Sequence, residues 1–283
     1  MKRSTLKLSI GAAAVLFGVA ACSSDHSTGP GSPATAEAKA STRQAAGEGA
    51  AMMIAQLDAN DAAVGASNDV VGARGGPAEI TVNCGGPFAG GWYTCTADLE
   101  NGLNVSRSVR FWEGTSLGLW WNPPLTDSVN HKWNVDGTVQ SEARAGRQVT
   151  VDDTAAATMS VIRPSAGVTA TVSNPNKHQW DGTASGHHTG SYTPTDGVTR
   201  TEVHTAFDTV SAVLFQMPRS QNPYPLSGSI TSNITTVFTA GDNTVNDAAR
   251  FVVTFNGTHL VTLQAGALIC DLDLDTQVVS NCH

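Results

Sequence analysis

The residues best suited to chemistry gather in three stretches, and the first is rich in histidine. In "HQWDGTASGHHTGSYTPTDGVTRTEVHTAF", Pro194-Thr195-Asp196-Gly197 suits a type I turn with a glycine bulge. A hairpin closed at that turn pairs Tyr192 with Arg200, Gly190 with Glu202 and His188 with His204. Side chains alternate across a strand, so His188, Glu202 and His204 fall on one face. Two imidazoles and a carboxylate can hold zinc with one position left open, the arrangement of a metal-dependent hydrolase. A slip of one residue in register would disperse the set. The competing reading is a pair of polar cross-strand histidines on a solvated face. Zinc here is the one cofactor the sequence suggests; otherwise none is expected.

The second stretch is acidic. Asp271, Asp273 and Asp275 alternate with Leu272 and Leu274, so the carboxylates line one strand face while the leucines and Cys270 line the other. Calcium wants about six to eight oxygens, usually from a loop that wraps the ion, and a straight strand offers too few. The expectation is a solvated face that protects a sheet edge.

The third stretch, "FWEGTSLGLWWNPPLTDSVNHKW", carries Phe111 and the candidate ligand contacts Trp112, Trp120, Trp121 and Trp133. Trp120-Trp121 precedes Asn122-Pro123-Pro124, which puts at least one indole near a loop, where amphipathic aromatics meet sugars or apolar ligands. In an extended segment the two adjacent indoles point opposite ways, one of them into the core. Plain packing is the alternative for all four.

Other chemistry is poorly represented. The chain has no G-x-S-x-G elbow, no H-E-x-x-H helix and no G-x-x-x-x-G-K-[ST] phosphate loop. The sequence therefore leans away from an enzyme. The formal net charge is −8, with 16 basic and 24 acidic side chains and no long basic run, which argues against nucleic acid as a partner.

The compartment is written at the start of the chain. Lys2, Arg3 and Lys7 precede an apolar run from Leu8 to Val19 and then Ala20-Ala21, the order of a secretory signal. Val19-Ala20-Ala21-Cys22 resembles the lipobox of bacterial lipoproteins. The resemblance implies that the signal is removed, that Cys22 becomes the first residue, and that its sulfur and amine carry acyl groups such as palmitate. Several acyl chains give stable anchoring where one binds marginally. Ser23 is not the aspartate that retains such proteins in the inner membrane of enteric bacteria, so the expected site is the outer membrane, facing the periplasm or the surface. An ordinary cleaved signal with an incidental cysteine is the alternative. Losing residues 1 to 21 moves the net charge from −8 to −11.

Outside the cytosol the remaining cysteines read as two disulfides. Cys84 and Cys95 flank "GGPFAGGWYT", and Cys270 and Cys282 flank "DLDLDTQVVSN", so each pair can face itself across a hairpin. Opposed residues on antiparallel strands are within disulfide reach. Long-range pairing is the competitor.

The elements that must position these groups follow from pattern. Residues 22 to 47, with lipidated Cys22 and "SSDHSTGPGSPA", read as a flexible linker. Ala50, Met53, Ile54 and Leu57 mark one face of a short helix starting near residue 48, with Gly47 and Gly49 limiting it, and a loop runs to residue 77. From residue 78 to 283 short alternating runs such as "EITVNC", "NVSRSVRFW" and "GVTATVS" read as strands. In "RFVVTFNGTHLVTL", Asn256-Gly257 suits a type I′ turn pairing Phe255 with Thr258.

The expected fold is all-β: mainly an antiparallel meander forming a curved sheet, half-barrel or sandwich, with one short N-terminal helix. "YPLSGSI…FVVTFNGT…CDLDLDT…C" resembles the C-terminal parts of exported bacterial β-rich proteins, a likeness that brings no activity with it. The function expected is that of an envelope lipoprotein, a non-enzymatic binding module for an apolar or polymeric ligand. A structural or adhesion protein of the envelope is one alternative, and a hydrolase using zinc at His188 and His204 is the other.

Overall fold

The computed structural model describes residues 33–70, 83–86, 89–98, 103–119, 121–122, 124–141, 147–169, 171, 173, 175–219 and 221–283. The predicted signal, Cys22 and the first part of the predicted linker lie outside them. A helix, α1 (Pro33–Val70), precedes the strands β1 (Asn83–Gly85), β2 (Tyr93–Asp98), β3 (Leu103–Glu113), β4 (Ser116–Gly118), β5 (Ser128–Ser141), β6 (Arg147–Ile162) and β7 (Lys177–Tyr192). These are followed by β8 (Arg200–Gln216), β9 (Ser227–Ala240), β10 (Asn243–Thr254), β11 (Leu260–Ala265), β12 (Leu268–Asp273) and β13 (Val279–Ser280).

All the strands belong to one antiparallel meander ordered β1-β2-β3-β5-β6-β7-β8-β9-β10-β11-β12-β13, with β4 folded back onto β3. The sheet is open, not a closed barrel, and being single it is not a sandwich. One face is dry and the other wet. Along β9 and β8 buried and exposed residues alternate, and the wet face is paved with hydroxyl pairs such as Thr154–Ser185 and Thr239–Thr244. The high Thr and Ser content is thus the outer surface of the sheet.

Turn chemistry sets most registers. Gly197 sits at φ 75° and its amide donates to Pro194 O at 3.0 Å, so Tyr192 pairs with Arg200 and His188 with His204. Asn256-Gly257 behaves differently. Thr254 pairs with Thr262, leaving a longer loop where the spacing predicts a two-residue turn. The Asn256 side chain accepts from the Thr258 amide and donates to Leu260 O, while the Phe255 amide leaves the hairpin to donate to Gly228 O. Burial of Phe255 in the core outweighs the local turn preference.

The sheet bends where β7, β8 and β9 meet. Register slips between Trp180 and Gly182, and the Asp181 carboxylate accepts from the amide of bulged Ala212, which stands at φ 49°. Gly228 lies opposite at φ 99°, and a Cβ there would come within 2.3 Å of Ala212 O.

Helix α1 covers the dry face, and it is far longer than the pattern predicts. It begins at Pro33, a residue preorganised for the first helical turn, and runs 38 residues, about 57 Å at 1.5 Å per residue. Residues 33–47 are therefore helix and not flexible linker. The face predicted from Ala50, Met53, Ile54 and Leu57 is buried, but upstream the same stripe continues as Ala38, Ser41, Thr42 and Ala46. Gly47 does not break the helix; a Cβ there would lie 2.7 Å from Val279 Cγ2, so it lets the helix approach β13. None of the described helix is apolar enough to cross a membrane.

Candidate functional site

The dry face is built around a buried polar seam. Glu202, His204 and Thr236 project from β8 and β9 toward the helix, where Ser41 and Thr42 meet them. Ser41 Oγ donates to Glu202, His204 Nδ1 bonds Thr236 Oγ1 at 2.9 Å, and Thr42 Oγ1 lies 2.9 Å from both Thr236 Oγ1 and Ala38 O. Ser41, His204 and Glu202 are the residue types of a hydrolytic triad, but the order is wrong. In a triad the acid orients the histidine nitrogen remote from the nucleophile. Here Thr236 holds that nitrogen, and Glu202 lies on the serine side, 3.5 Å from His204 Nε2. The seam pins helix to sheet.

The predicted zinc set does not form. His188 is paired with His204 in register, yet its Nε2 turns away to Asp153 Oδ1 at 2.8 Å. Glu202 and His204 sit beneath the helix, so the face expected to be wet is the covered one. Gly186 makes the His188 contact feasible, because a Cβ there would be 2.3 Å from Asp153 Oδ1. Nearby, burial pushes the Asp208 carboxyl up, against a lowering hydrogen bond from Ser232 and with Asp153 adding to the rise. These groups border a cavity of about 40 Å³ under Met52, Met53 and Gln56, room for a little water and not for an apolar ligand.

A second polar centre lies at the other end of the helix. Arg107, buried on β3, donates to Asn60 and, at 2.7 Å, to Gln56 Oε1, and burial lowers its pKa to about 10. His131 is 1% exposed, lies 4.8 Å from the Trp180 ring, and has neither ring nitrogen hydrogen-bonded. Burial above all, then the charge of Arg107, lowers its pKa to about 3.

The wet face carries a groove of about 330 Å³ across β3, β5, β6 and β7, with Trp92, just ahead of β2, at one side. Register lines up Arg110, Asn130, Thr158 and Asp181 in one row on four adjacent strands. Arg110 Cζ stands 4.7 Å from the Trp92 ring and 5.0 Å from that of Trp112, while Lys132 Nζ is 4.8 Å from Trp92. Asn130 Oδ1 accepts from Arg110 Nε at 2.8 Å and from Trp112 Nε1 at 2.6 Å, and its amide donates to Thr158. At the far end Asp181 accepts from the Ala212 amide and from Gln179. The arrangement offers indole surface, two cations and a line of hydroxyl and amide groups.

Of the predicted ligand tryptophans, Trp112 lies next to this groove, where it supports Arg110 and bonds Asn130 without lining the groove itself. Trp133 is core, on the opposite face of β5, and Trp121 packs edge-on against His178, 6.1 Å away. Trp120 lies outside the described residues. Trp92, Arg110 and Lys132 are groove residues that the sequence does not single out. The one visible signal is the alternation of Arg110 and Trp112 on one face of "VRFW".

At the C-terminus, Cys270 and Cys282 are disulfide-bonded. Cys84 pairs with Cys95 in backbone register, and their side chains lie outside the described residues. The acidic strand differs from expectation. Strand β12 ends at Asp273, whose Oδ1 accepts from the amides of Asp275 and Thr276, and β13 pairs along Asp271 and Leu272, so these acids guard no open edge. Among the described residues, the trio of possible cation ligands with atoms within 4.8 Å of one another is His259, Asp273 and Asp275. Tyr224 occupies Asp275 through bonds of 3.0 and 2.8 Å.

Compared with known proteins, the chain matches no family model, no curated protein and no solved structure.

Proposed function

We propose that this protein is a lipid-anchored module of the bacterial outer membrane that binds a polymeric ligand on the wet face of its sheet, without catalysis. The observation that carries the reading is the groove of Trp92, Arg110, Asn130 and Lys132, with the Trp112 ring beside Arg110, open along a row of strands as a linear chain would need. A carrier of apolar ligands is disfavoured because α1 fills the dry face with Ala50, Met53, Ile54 and Leu57.

Anchoring and binding are tested separately. In detergent phase separation the native protein partitions into the detergent phase and Cys22→Ser into the aqueous phase; equal partitioning rejects the anchor. For binding, the detergent-solubilised protein is sedimented with peptidoglycan sacculi, chitin and cellulose. Pull-down by at least one, lost in Trp92→Ala, supports the reading; no pull-down by any rejects it.

An adhesion role has one specific support. Leu117, Leu119, Leu125 and Ile162 stand exposed at one end of the sheet, around the β4–β5 connection and the end of β6. Self-association abolished by Leu119→Ser favours that role, whereas a monomer favours ligand binding.

A further inference from the structure

Resting on the polymer-binding reading above, we propose that the wet-face groove selects an acidic glycan, a chain of sugar rings bearing carboxylate or sulfate groups. The sequence has 24 acidic and 16 basic side chains, so exposed cations would ordinarily find carboxylate partners. Arg110 and Lys132 find none among the described residues. Arg110 bonds the neutral Asn130 amide and lies against two indoles, and Lys132 lies against one of the same indoles. Two positive charges are thereby held side by side on neighbouring strands, since Lys132 pairs with Ser108 and Arg110 with Asn130. Guanidinium against an anionic oxygen is a strong, directional contact, and indoles match the apolar faces of sugar rings.

The rest of the row is also suited to sugar. Asn130 and Thr158 offer amide and hydroxyl partners, and Asp181 lies three strands from Arg110, about 14 Å at the usual strand spacing. That carboxylate accepts from neutral donors and faces a ligand as an acceptor for hydroxyl groups. The groove is thus polarised, cationic at the Arg110 end and anionic at the Asp181 end. A chain charged at every unit would meet repulsion at Asp181, whereas one with charged groups on some rings and free hydroxyls on others fits both ends. Nucleic acid, with one charge per about 1.7 Å of duplex, fits this polarity and the net charge of −8 poorly.

The test is affinity electrophoresis of the detergent-solubilised protein in gels holding one polymer each: hyaluronan, neutral dextran, polyacrylate or oligothymidylate. Retardation is expected with hyaluronan, which carries a carboxylate on alternate rings and free hydroxyls on the others, and weakening with added salt. Lys132→Gln, an exposed change that leaves the core intact, should weaken it at least fivefold, Arg110→Gln at least tenfold, and Trp92→Ala should abolish it with the circular dichroism unchanged. Dextran retardation that needs Trp92 but is indifferent to Lys132→Gln overturns the acidic selectivity and leaves polymer binding standing. Equal retardation by polyacrylate reduces the groove to a charge patch, and equal retardation by oligothymidylate makes it a nucleic-acid site; both overturn the proposal. Failure with every polymer, in a protein that also sediments with no insoluble glycan, overturns both readings.

Discussion

Ser41 of the helix donates a hydrogen bond to Glu202 of the sheet across 161 residues of chain, and both side chains are buried. A carboxylate in a dry interior is tolerated only with its partners in place. Ser41→Ala should cost about 1–3 kcal/mol in urea unfolding, and Glu202→Ala more. The double variant should be less destabilised than the sum, with a coupling of about 1 kcal/mol or greater. Strict additivity would mean that the helix does not dock through this pair.

His131 gives the fold an acid weakness. Its folded pKa is about 3 against a usual 6.5, so between those values the unfolded chain takes up a proton that the folded chain refuses. Stability from this group is full above pH 6.5 and drains as pH falls toward 3. By about pH 4.5 the loss is about 2–3 kcal/mol. His131→Phe, which keeps an aromatic ring against Trp180, should flatten that decline. Urea midpoints of both proteins at about pH 7 and about pH 4.5 decide it; parallel losses would contradict a histidine buried in neutral form.

Two glycines should respond oppositely to alanine. Gly228→Ala places a Cβ 2.3 Å from a backbone oxygen at φ 99°, and about 2–4 kcal/mol of destabilisation is expected from strain and overpacking. Gly49, in the helix interior, has open space where a methyl would stand, with nothing within 4 Å beyond the backbone of its own helix turn, and Gly49→Ala should stabilise by about 0.5–1 kcal/mol. Thermal melts of the two variants check both signs.

The Cys270–Cys282 bond holds the segment on which the helix leans. Gln44 donates to Gln277 O, and Gly47 packs against Val279 and Leu272. Reduction, or Cys282→Ser, should cost about 3 kcal/mol for a loop of this size. Hydrogen exchange should report faster opening in β13 and in the helix near Gly47 than in β7 or β8. Uniform change across the sheet would argue against that local coupling.

Local signals in the chain are sufficient for the meander and for the hairpin that sets His188 against His204, because Pro194 to Gly197 carries its own turn chemistry. They fail where partners are distant. The first half of α1 buries Ala38, Ser41, Thr42 and Ala46, small or polar residues that leave no apolar stripe to read. Their burial makes sense only opposite Glu202, His204 and Thr236, which come much later in the chain. Gly47 reads as a stop because its close neighbour, Val279, is unknowable before folding. Phe255 likewise overrides Asn256-Gly257 through a bond to Gly228. The groove needs the pairing of Arg110 with Asn130 and the placement of Trp92 against Arg110 and Lys132.

Helix α1 stands upstream of the whole sheet in the chain and also fills it. Any tension applied on the amino-terminal side of Pro33 is therefore delivered to the interior of the domain, along a rod of 38 residues, and not to a peripheral loop. Bonds at Ser41, Thr42, Gln56 and Asn60 lie strung out along that rod and would share the strain in parallel. Under such a load the domain resists by shear, and should it yield, the helix would leave the sheet as one piece.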